Sequence, residues 1–301
     1  MAHYLIFGAS GKVGSQLAAK LAQSANRVDT PSRQVCDLSS PAQIDSFIEQ
    51  SPAGYIINCA AISGIESCLD DPVTAHYVNA MAPDAMAQAC HREGKRFIHL
   101  STDYVLDGRR EGLKNESTKC KPVNTYGESK WEAEMRILET MPEALITRVS
   151  WVFGHPDKPS FPESVLARAL RGETIAAVED KYSMPTWLGD LCPWLERLSL
   201  MPEVKGVLHL CQSGDPMSWH RYAEITLQAA FDCGLLSEIP PVAKQRLDEE
   251  AGFRDARPRH TAMDSSQLGA IIGETIRPHQ EAIRLAVSDY ANNIADHLKR
   301  S

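Results

Sequence analysis

The feature that most constrains the fold is a glycine-rich segment near the N-terminus, Gly8-Ala-Ser-Gly-Lys-Val-Gly14. The apolar run at residues 4–7 precedes it, and apolar residues at helical spacing follow it from Val13 to Leu21. A strand, a glycine turn and a helix in this order suit a dinucleotide pyrophosphate, because the turn, the approach of the phosphate and the helix packing all need bare backbone. The segment therefore predicts a dinucleotide site, with contacts from Gly8, Ser10, Gly11, Lys12, Val13 and Gly14.

Strand-like and helix-like segments alternate through the first half of the chain. We predict strands at 27–30, 55–61, 96–100 and 145–149, and helices at 42–49, 73–89 and 129–138. Such alternation is typical of an α/β fold with a Rossmann-type, doubly wound parallel sheet and right-handed crossovers.

After residue 155 prolines become frequent and the alternation loosens. We predict helices at 163–171, 188–198, 219–231 and 279–298, and one more strand at 207–210. The sequence thus suggests a cofactor-binding domain at 1–155 and a smaller, interleaved C-terminal substrate-binding lobe at 156–301, with 206–232 returning to the first domain.

Cofactor preference depends on the residues that follow the second strand. Enzymes that use NAD usually place an acidic residue there to bind the ribose 2′-hydroxyl. This chain has Ser32 and Arg33, which suit a 2′-phosphate, and so NADPH is expected. Asp29 is the alternative acid, and NADH is then allowed.

Two strand ends supply further candidate site residues. Cys59, Ala60 and Ala61 are small and would let a cofactor lie against the backbone. Thr102 follows the fourth strand, and ligands of open α/β sheets bind beyond the carboxyl ends of strands. His99, within that strand, is interpreted as a packed core residue.

Tyr126 and Lys130 stand four positions apart at the start of a helical segment. Residues at this spacing share a helix face. A cation beside a phenol favours the phenolate and lowers its pKa, so the pair can provide an acid or base near neutral pH. An ordinary surface pair is the alternative interpretation.

Composition excludes some classes of protein. A net charge of −8 argues against a general nucleic-acid binder. No apolar run reaches the roughly 18 residues that cross a bilayer, and the N-terminus lacks the features of a signal peptide. The eight cysteines form no CxxC pair, so we expect reduced thiols in a cytoplasmic protein.

Taken together, the motifs resemble the extended short-chain dehydrogenase/reductase family, and within it the dTDP-4-dehydrorhamnose reductase branch. The resemblance runs over nearly the whole chain. It is carried by Gly8–Gly14 with its three glycines, Asn58-Cys-Ala-Ala61, Asn79-Ala80, Ser101-Thr-Asp-Tyr-Val-Leu-Asp-Gly108, Asn124-Thr-Tyr-Gly-Glu-Ser-Lys130, Arg148-Val-Ser-Trp-Val-Phe-Gly154, Asp180-Lys-Tyr-Ser-Met-Pro-Thr186, Ser218-Trp219 and Ala256-Arg-Pro258.

The resemblance implies roles for individual residues. Thr102, Tyr126 and Lys130 would be catalytic: Tyr126 protonates the ketone as hydride arrives, Lys130 lowers the tyrosine pKa and bonds the nicotinamide ribose, and Thr102 holds the substrate oxygen. Asn79 would help to position the lysine, and Asp37 and Leu38 would lie beside the adenine. The substrate site would comprise Ser63, Thr102, Asp103, Tyr104, Trp151 and Arg257, although a structural salt bridge is an alternative role for Arg257.

The same family separates reaction types by the residues after the catalytic threonine. Its dehydratases place Asp-Glu there, whereas Thr102 is followed by Asp103-Tyr104. The Ser-Ser-x-x-Val-Tyr-Gly form of the epimerases is absent from the sequence as well. Simple reduction is therefore favoured.

Two departures from the branch affect substrate identity. Residues 62–68 differ from the usual loop, where Ser63 replaces a threonine and a lysine is lost, and Lys181 replaces a common glutamine. The expected reaction is NADPH-dependent reduction of a nucleotide-linked 4-keto-6-deoxy sugar, most simply dTDP-4-dehydro-L-rhamnose to dTDP-L-rhamnose. The alternatives are a reductase or epimerase of another nucleotide sugar, or a non-catalytic regulatory subunit like the methionine adenosyltransferase β subunit. The family also allows a homodimer, and no acidic cluster in the sequence clearly argues for a metal.

Overall fold

Six parallel strands form the central sheet of the protein, in the order β2-β1-β3-β4-β5-β10. This computed structural model describes residues 1–300, and the side chains of residues 1–292. The strands are β1 (His3–Phe7), β2 (Arg27–Asp29), β3 (Tyr55–Asn58), β4 (Arg96–Thr102), β5 (Leu145–Val149) and β10 (Gly206–His209). The sheet confirms the predicted Rossmann-type α/β fold.

Helices cover both faces of this sheet because each strand carries apolar side chains on both sides, as parallel strands do. On one face α1 (Lys12–Gln23) and α8 (Leu188–Ser199) pack with α10 (Ser266–Ile272). The other face is covered by α2 (Pro41–Gln50), α5 (Ala82–Arg92) and α6 (Thr125–Thr140). The two cores hold the carboxyl ends of the strands at one rigid edge.

Helix boundaries near the site differ from the prediction for identifiable reasons. The predicted helix at 73–89 is split into α4 (Pro72–His76), a π-helical turn at Tyr77–Met81 and α5. A preceding short helix, α3, covers Ile65–Asp70. Helix α6 begins four residues earlier than predicted because the Asn124 side chain caps it, accepting a hydrogen bond from Gly127 N at 2.8 Å.

The C-terminal half forms a second core around α7 (Phe161–Leu170), α9 (Trp219–Asp232) and α11 (His279–Arg300). Short strand pairs complete it: β6 (Val152–Phe153) with β9 (Thr186–Trp187), β7 (Ile175–Val178) with β12 (Val242–Gln245), and β8 (Tyr182–Ser183) with β11 (Met217–Ser218). Strand β10 pairs in parallel with β5 in the central sheet, whereas α9 lies in the second core. The division into domains at residue 155 stays a proposal.

Membrane and redox features concern the described residues only. No helix there has the length and hydropathy needed to cross a bilayer. All eight cysteines lie in this part of the chain, and each is a free thiol.

Candidate active site

A cleft of about 440 Å³ lies at the carboxyl ends of β1, β3, β4 and β5. It runs from the glycine turn, past the start of α6, to the segment after β5. Twelve of the predicted site residues line it: Gly11, Lys12, Val13, Cys59, Ala61, Ser63, Thr102, Asp103, Tyr104, Tyr126, Lys130 and Trp151. The fold therefore gathers the glycine turn and the Thr-Tyr-Lys set into one space.

The glycine turn is packed so closely that side chains are excluded from it. Gly8 has φ +78°, and a Cβ built on it would lie 2.5 Å from the backbone nitrogen of Ala60. A Cβ on Gly14 would lie 2.4 Å from Gly8 O. The turn thus presents backbone at the start of α1, and this fits the pyrophosphate of a dinucleotide. Gly8, Gly14 and Ala60 shape this cradle without lining the cleft itself.

The residues predicted to bind the adenosine end of the cofactor come after β2, the strand at the edge of the sheet. Ser32 and Arg33 are exposed, while Asp37 and Leu38 are partly buried. Asp29 is engaged by His3, whose Nε2 lies 2.7 Å from Asp29 Oδ2. This pairing engages one oxygen of the alternative acid, while Arg33 is exposed and accessible to a 2′-phosphate.

We expect Arg33→Ala to weaken NADPH binding about tenfold or more while changing NADH binding little. A charge-assisted hydrogen bond to a phosphate contributes about 1.5–3 kcal/mol, and only NADPH carries the 2′-phosphate. Fluorescence titration of the two cofactors measures this difference. Arg27→Ala, an exposed arginine on β2, is the matched control and should affect both cofactors equally. Equal losses in Arg33→Ala would rule out the assigned contact.

Thr102 and Asp103 are held in fixed positions at the end of β4. Thr102 Oγ1 accepts a hydrogen bond from Tyr104 N at 3.2 Å and donates to Asp103 Oδ1 at 3.3 Å. Asp103 is buried, and its other oxygen accepts from Ser183 Oγ at 2.8 Å and Thr261 Oγ1 at 2.5 Å. Asp103 thus supports the threonine. It lines the cleft, but its carboxylate oxygens are engaged by other side chains, and so the predicted direct bond to substrate is not available in this structure.

Tyr126 lies in the first turn of α6, where the Asn124 cap fixes the backbone. Its ring centroid is 5.8 Å from that of Tyr104, at an edge-to-face angle. Gly127 allows this approach, since a Cβ there would lie 2.3 Å from Tyr104 O. Burial raises the pKa of Tyr126, with the Thr102 hydroxyl beside it acting in the opposite direction. The phenol is therefore protonated at neutral pH and suited to act as a proton donor.

Lys130 is 1% exposed and lies beneath the cleft, one helical turn after Tyr126. Its Nζ donates to Leu100 O at 2.7 Å and lies 2.8 Å from His99 Nε2. Burial lowers the pKa of Lys130 to about 7, although Glu134 and Cys59 act to raise it. In this structure the amine bonds β4 and burial raises the pKa of Tyr126, so the effect of a lysine cation on the tyrosine pKa stays a prediction.

Asn79 is fully buried in the π-helical turn and has no surface in the cleft. Its Oδ1 accepts from Ile62 N at 2.8 Å, and its Nδ2 donates to Ile62 O at 2.9 Å and Ser129 Oγ at 3.0 Å. The predicted cofactor contact of Asn79 is therefore indirect. The residue joins the loop after β3 to α6 next to Lys130, and π-helical turns often occur at such functional positions.

Trp151 lines the cleft with a strained backbone, at φ +44°. Its ring centroid is 5.3 Å from that of Trp219, and it stacks on Tyr222 at 6.1 Å. Its Nε1 is buried without a hydrogen-bond partner among the described residues. Strain of this kind persists only where the surroundings impose it, and it is concentrated at functional sites. This placement supports the predicted substrate contact.

Arg257 does not line the cleft in this structure, contrary to the substrate contact predicted for it. Its Nη2 forms two bonds to Glu66, at 2.7 and 2.9 Å, and its guanidinium stacks on Phe253 at 3.8 Å. The alternative role, a structural salt bridge, describes this state. The Glu66 carboxylate competes directly with any phosphate for the arginine.

Lys181 is fully buried behind two residues of the cleft wall. Its Nζ donates to Pro258 O at 2.7 Å and lies 4.8 Å from the Tyr104 ring centroid and 5.9 Å from that of Trp151. Burial lowers the pKa of Lys181 to about 8, with Asp103 acting to raise it. Lys181 therefore shapes the aromatic wall from behind.

We expect Lys181→Met to change how stability depends on pH. The lysine pKa is about 8 in the folded protein and near 10.5 in the unfolded chain. Between these values the unfolded chain binds more protons, so wild-type stability should rise with pH by up to about 3 kcal/mol relative to the variant. Urea unfolding at pH 7, 8.5 and 10 measures the difference. In Lys244→Met, an exposed control, the difference from wild type should stay nearly flat.

Several residues at or near the cleft were not among the predicted site residues. Ser101 and Ser150 line the cleft beside predicted residues. Lys158, in the loop before α7, donates to Ser10 O at the glycine turn. A basic residue in a proline-rich loop is ordinary, and only tertiary packing brings this one to the glycine turn.

Comparisons with known proteins agree with this geometry. The profile of the family described as the RmlD substrate binding domain matches residues 2–292. A dTDP-4-dehydrorhamnose reductase from Salmonella typhimurium is 31% identical over 238 residues, covering 77% of this chain and 79% of the relative. A probable dTDP-4,6-dihydroxy-2-methyloxan-3-one 4-ketoreductase from Streptomyces antibioticus is 30% identical over 257 residues, covering 85% and 84%.

The fold also matches solved structures over nearly its whole length. A dTDP-4-dehydrorhamnose reductase from Bacillus anthracis, solved in complex with NADP, superposes with a TM-score of 0.83 at 23% identity. The match covers 94% of this chain and 98% of that one. At this identity the likeness shows a shared fold.

Proposed function

Because the chain belongs to the family of the RmlD substrate binding domain, we propose that it reduces the 4-keto group of a nucleotide-linked 6-deoxy sugar with NADPH. The substrate that its relatives favour is dTDP-4-dehydro-L-rhamnose, which would yield dTDP-L-rhamnose. The observation that carries the proposal is the convergence of Thr102, Tyr126 and Lys130 on one cleft with the glycine turn. A scaffold without catalytic activity would not require that convergence.

The bound dinucleotide supplies the hydride, and the residues of this chain supply the rest. Tyr126, held protonated by burial, donates its phenolic proton to the ketone oxygen as the carbonyl carbon is reduced. Thr102 lies beside it and positions the same oxygen through its hydroxyl. Lys130, one helical turn further along α6, also lines the cleft.

The aromatic wall orients the sugar and keeps water from the reacting carbonyl. Tyr104 and Trp151 line the cleft next to Tyr126, and Lys181 supports both rings from behind. Ser63 and Ile65 also line the cleft. Both residues lie in the segment 62–68, where the chain departs from its branch.

A second candidate is reduction of a different dTDP-linked keto sugar. Two observations favour it: the changed loop at 62–68, and the Streptomyces relative, whose name gives another dTDP sugar as its substrate. The chemistry at Tyr126 would be the same, and only the groups that Ser63 and Trp151 contact would differ.

One experiment separates the candidates. Purified protein is mixed with NADPH and dTDP-4-dehydro-L-rhamnose, and in parallel with dTDP-4,6-dihydroxy-2-methyloxan-3-one, the sugar in the name of the Streptomyces relative, while loss of the nicotinamide absorbance is followed. Rapid oxidation with the first sugar supports the main proposal, and rapid oxidation with the second alone supports the other candidate. No oxidation with either sugar would contradict both.

The compartment is proposed on separate grounds. All eight cysteines, which lie within the described residues, are free thiols, and this suits a reducing cytoplasm.

A further inference from the structure

We propose that Asn58 and His99 form a buried relay that holds Lys130 as a neutral amine in the resting protein, with His99 as a positioning residue. The relay begins at a backbone N–H group, which can only donate a hydrogen bond. Ala60 N donates to Asn58 Oδ1 at 2.9 Å, so the carboxamide oxygen must face Ala60. Its nitrogen then faces the other way.

The orientation of Asn58 determines the tautomer of His99. Asn58 Nδ2 lies 3.1 Å from His99 Nδ1, and an amide nitrogen can only donate. His99 Nδ1 must therefore accept, and a neutral imidazole then carries its proton on Nε2. Burial lowers the pKa of His99, so the ring is neutral.

The tautomer of His99 in turn determines the state of Lys130. His99 Nε2 lies 2.8 Å from Lys130 Nζ, and its proton points at the amine. An ammonium group has no lone pair to accept this hydrogen bond, whereas a neutral amine has one. The neutral amine keeps one N–H for Leu100 O, 2.7 Å away, and one for the cleft.

The surroundings of Lys130 favour the same state. Asn58, His99 and Lys130 are at most 1% exposed, which disfavours a charge. The charged group nearest along α6, Glu134, is bound to Arg148 at 2.6 Å, and the Cys59 thiol has its pKa raised by burial. No carboxylate of the described residues lies within 4.0 Å of Lys130 Nζ. Protonation of Lys130 would require His99 to change tautomer and Asn58 to give up a hydrogen bond.

The relay gives Lys130 a neutral amine, which can accept a proton, in place of the cation predicted to lower the pKa of Tyr126. Reduction would then depend on pH through Lys130. This catalytic consequence rests on the proposed function. The hydrogen-bond order itself can be measured on the protein without substrate, so failure of one would be distinguishable from failure of the other.

The first test reads the His99 tautomer directly. In protein with ¹⁵N-labelled histidine, long-range ¹H–¹⁵N spectra at pH 8 separate protonated from unprotonated ring nitrogens. Comparison with His99→Phe identifies this ring among the ten histidines. We expect Nε2 protonated and Nδ1 unprotonated. Observation of the Nδ1–H tautomer would overturn the proposal. The tautomer is measured on the wild-type protein, so this result does not depend on whether a variant folds.

The second test follows the titration of Lys130 by ¹³C NMR of labelled lysine, assigned with Lys130→Met. Under the proposal, His99→Phe removes a donor to the neutral amine and should raise the titration midpoint by about one pH unit. If His99 instead accepted a hydrogen bond from an ammonium, the midpoint would fall. Thr147→Val, which removes a buried hydroxyl that donates to His99 O at 3.3 Å, is the matched control and should leave the midpoint unchanged. An unchanged or lower midpoint in His99→Phe would overturn the relay.

Discussion

Tyr126→Phe should lower kcat for reduction by about 10²–10⁴-fold while leaving NADPH affinity nearly unchanged. The substitution removes only the phenolic oxygen, and loss of a positioned general acid costs this much in rate. The ring stays and keeps its edge-to-face contact with Tyr104 at 5.8 Å. Steady-state kinetics with the sugar that the wild type reduces, together with fluorescence titration of NADPH, measure the two quantities.

Tyr222→Phe is the matched control for this prediction. Tyr222 is a buried tyrosine that lies outside the cleft lining, and its hydroxyl has no hydrogen-bond partner among the described residues. Removal of that hydroxyl should leave kcat within about twofold and should not reduce stability, since no bond is lost. A Tyr126→Phe enzyme that retained wild-type kcat would show that another group donates the proton.

The fold could be predicted from the sequence because its signals are local and repeated. The apolar runs of β1, β3, β4 and β5 match the predicted strands to within a few residues, and the alternation with helices implies a parallel sheet. The exceptions are also local. The π-helical turn at Tyr77–Met81 and the earlier start of α6 depend on side-chain bonds of Asn79 and Asn124 that a periodicity does not reveal.

The motifs predicted which residues form the site, but not which hydrogen bonds and ion pairs those residues make. The spacing of Tyr126 and Lys130 placed both on one helix, but not the direction in which the lysine points. The bond to His99 depends on side-chain packing between β4 and α6, and so the sequence indicated only a core histidine. Arg257 likewise had the right charge for a phosphate, yet Glu66 lies within 2.7 Å of it. Which side chain bonds to Lys130 or Arg257 depends on contacts between residues far apart in sequence, and motifs do not reveal these contacts.

Gly8→Ala should abolish tight NADPH binding and destabilise the fold, because two separate costs meet at this residue. The left-handed backbone, at φ +78°, costs an alanine about 1–2 kcal/mol. A Cβ would also lie 2.5 Å from Ala60 N, in rigid backbone, and such overpacking costs about 1–3 kcal/mol more. Relief of that contact must move the glycine turn away from β3 and so distort the pyrophosphate cradle.

Gly94→Ala separates the two costs. Gly94 has a similar backbone, at φ +61°, but no atom lies within 4 Å of a Cβ built there. Its variant should therefore lose only the backbone part, about 1–2 kcal/mol, and should bind NADPH like the wild type. Urea unfolding and NADPH titration of both variants test the argument. If Gly8→Ala bound NADPH within about twofold of Gly94→Ala, the close contact with Ala60 would not be what shapes the cofactor site.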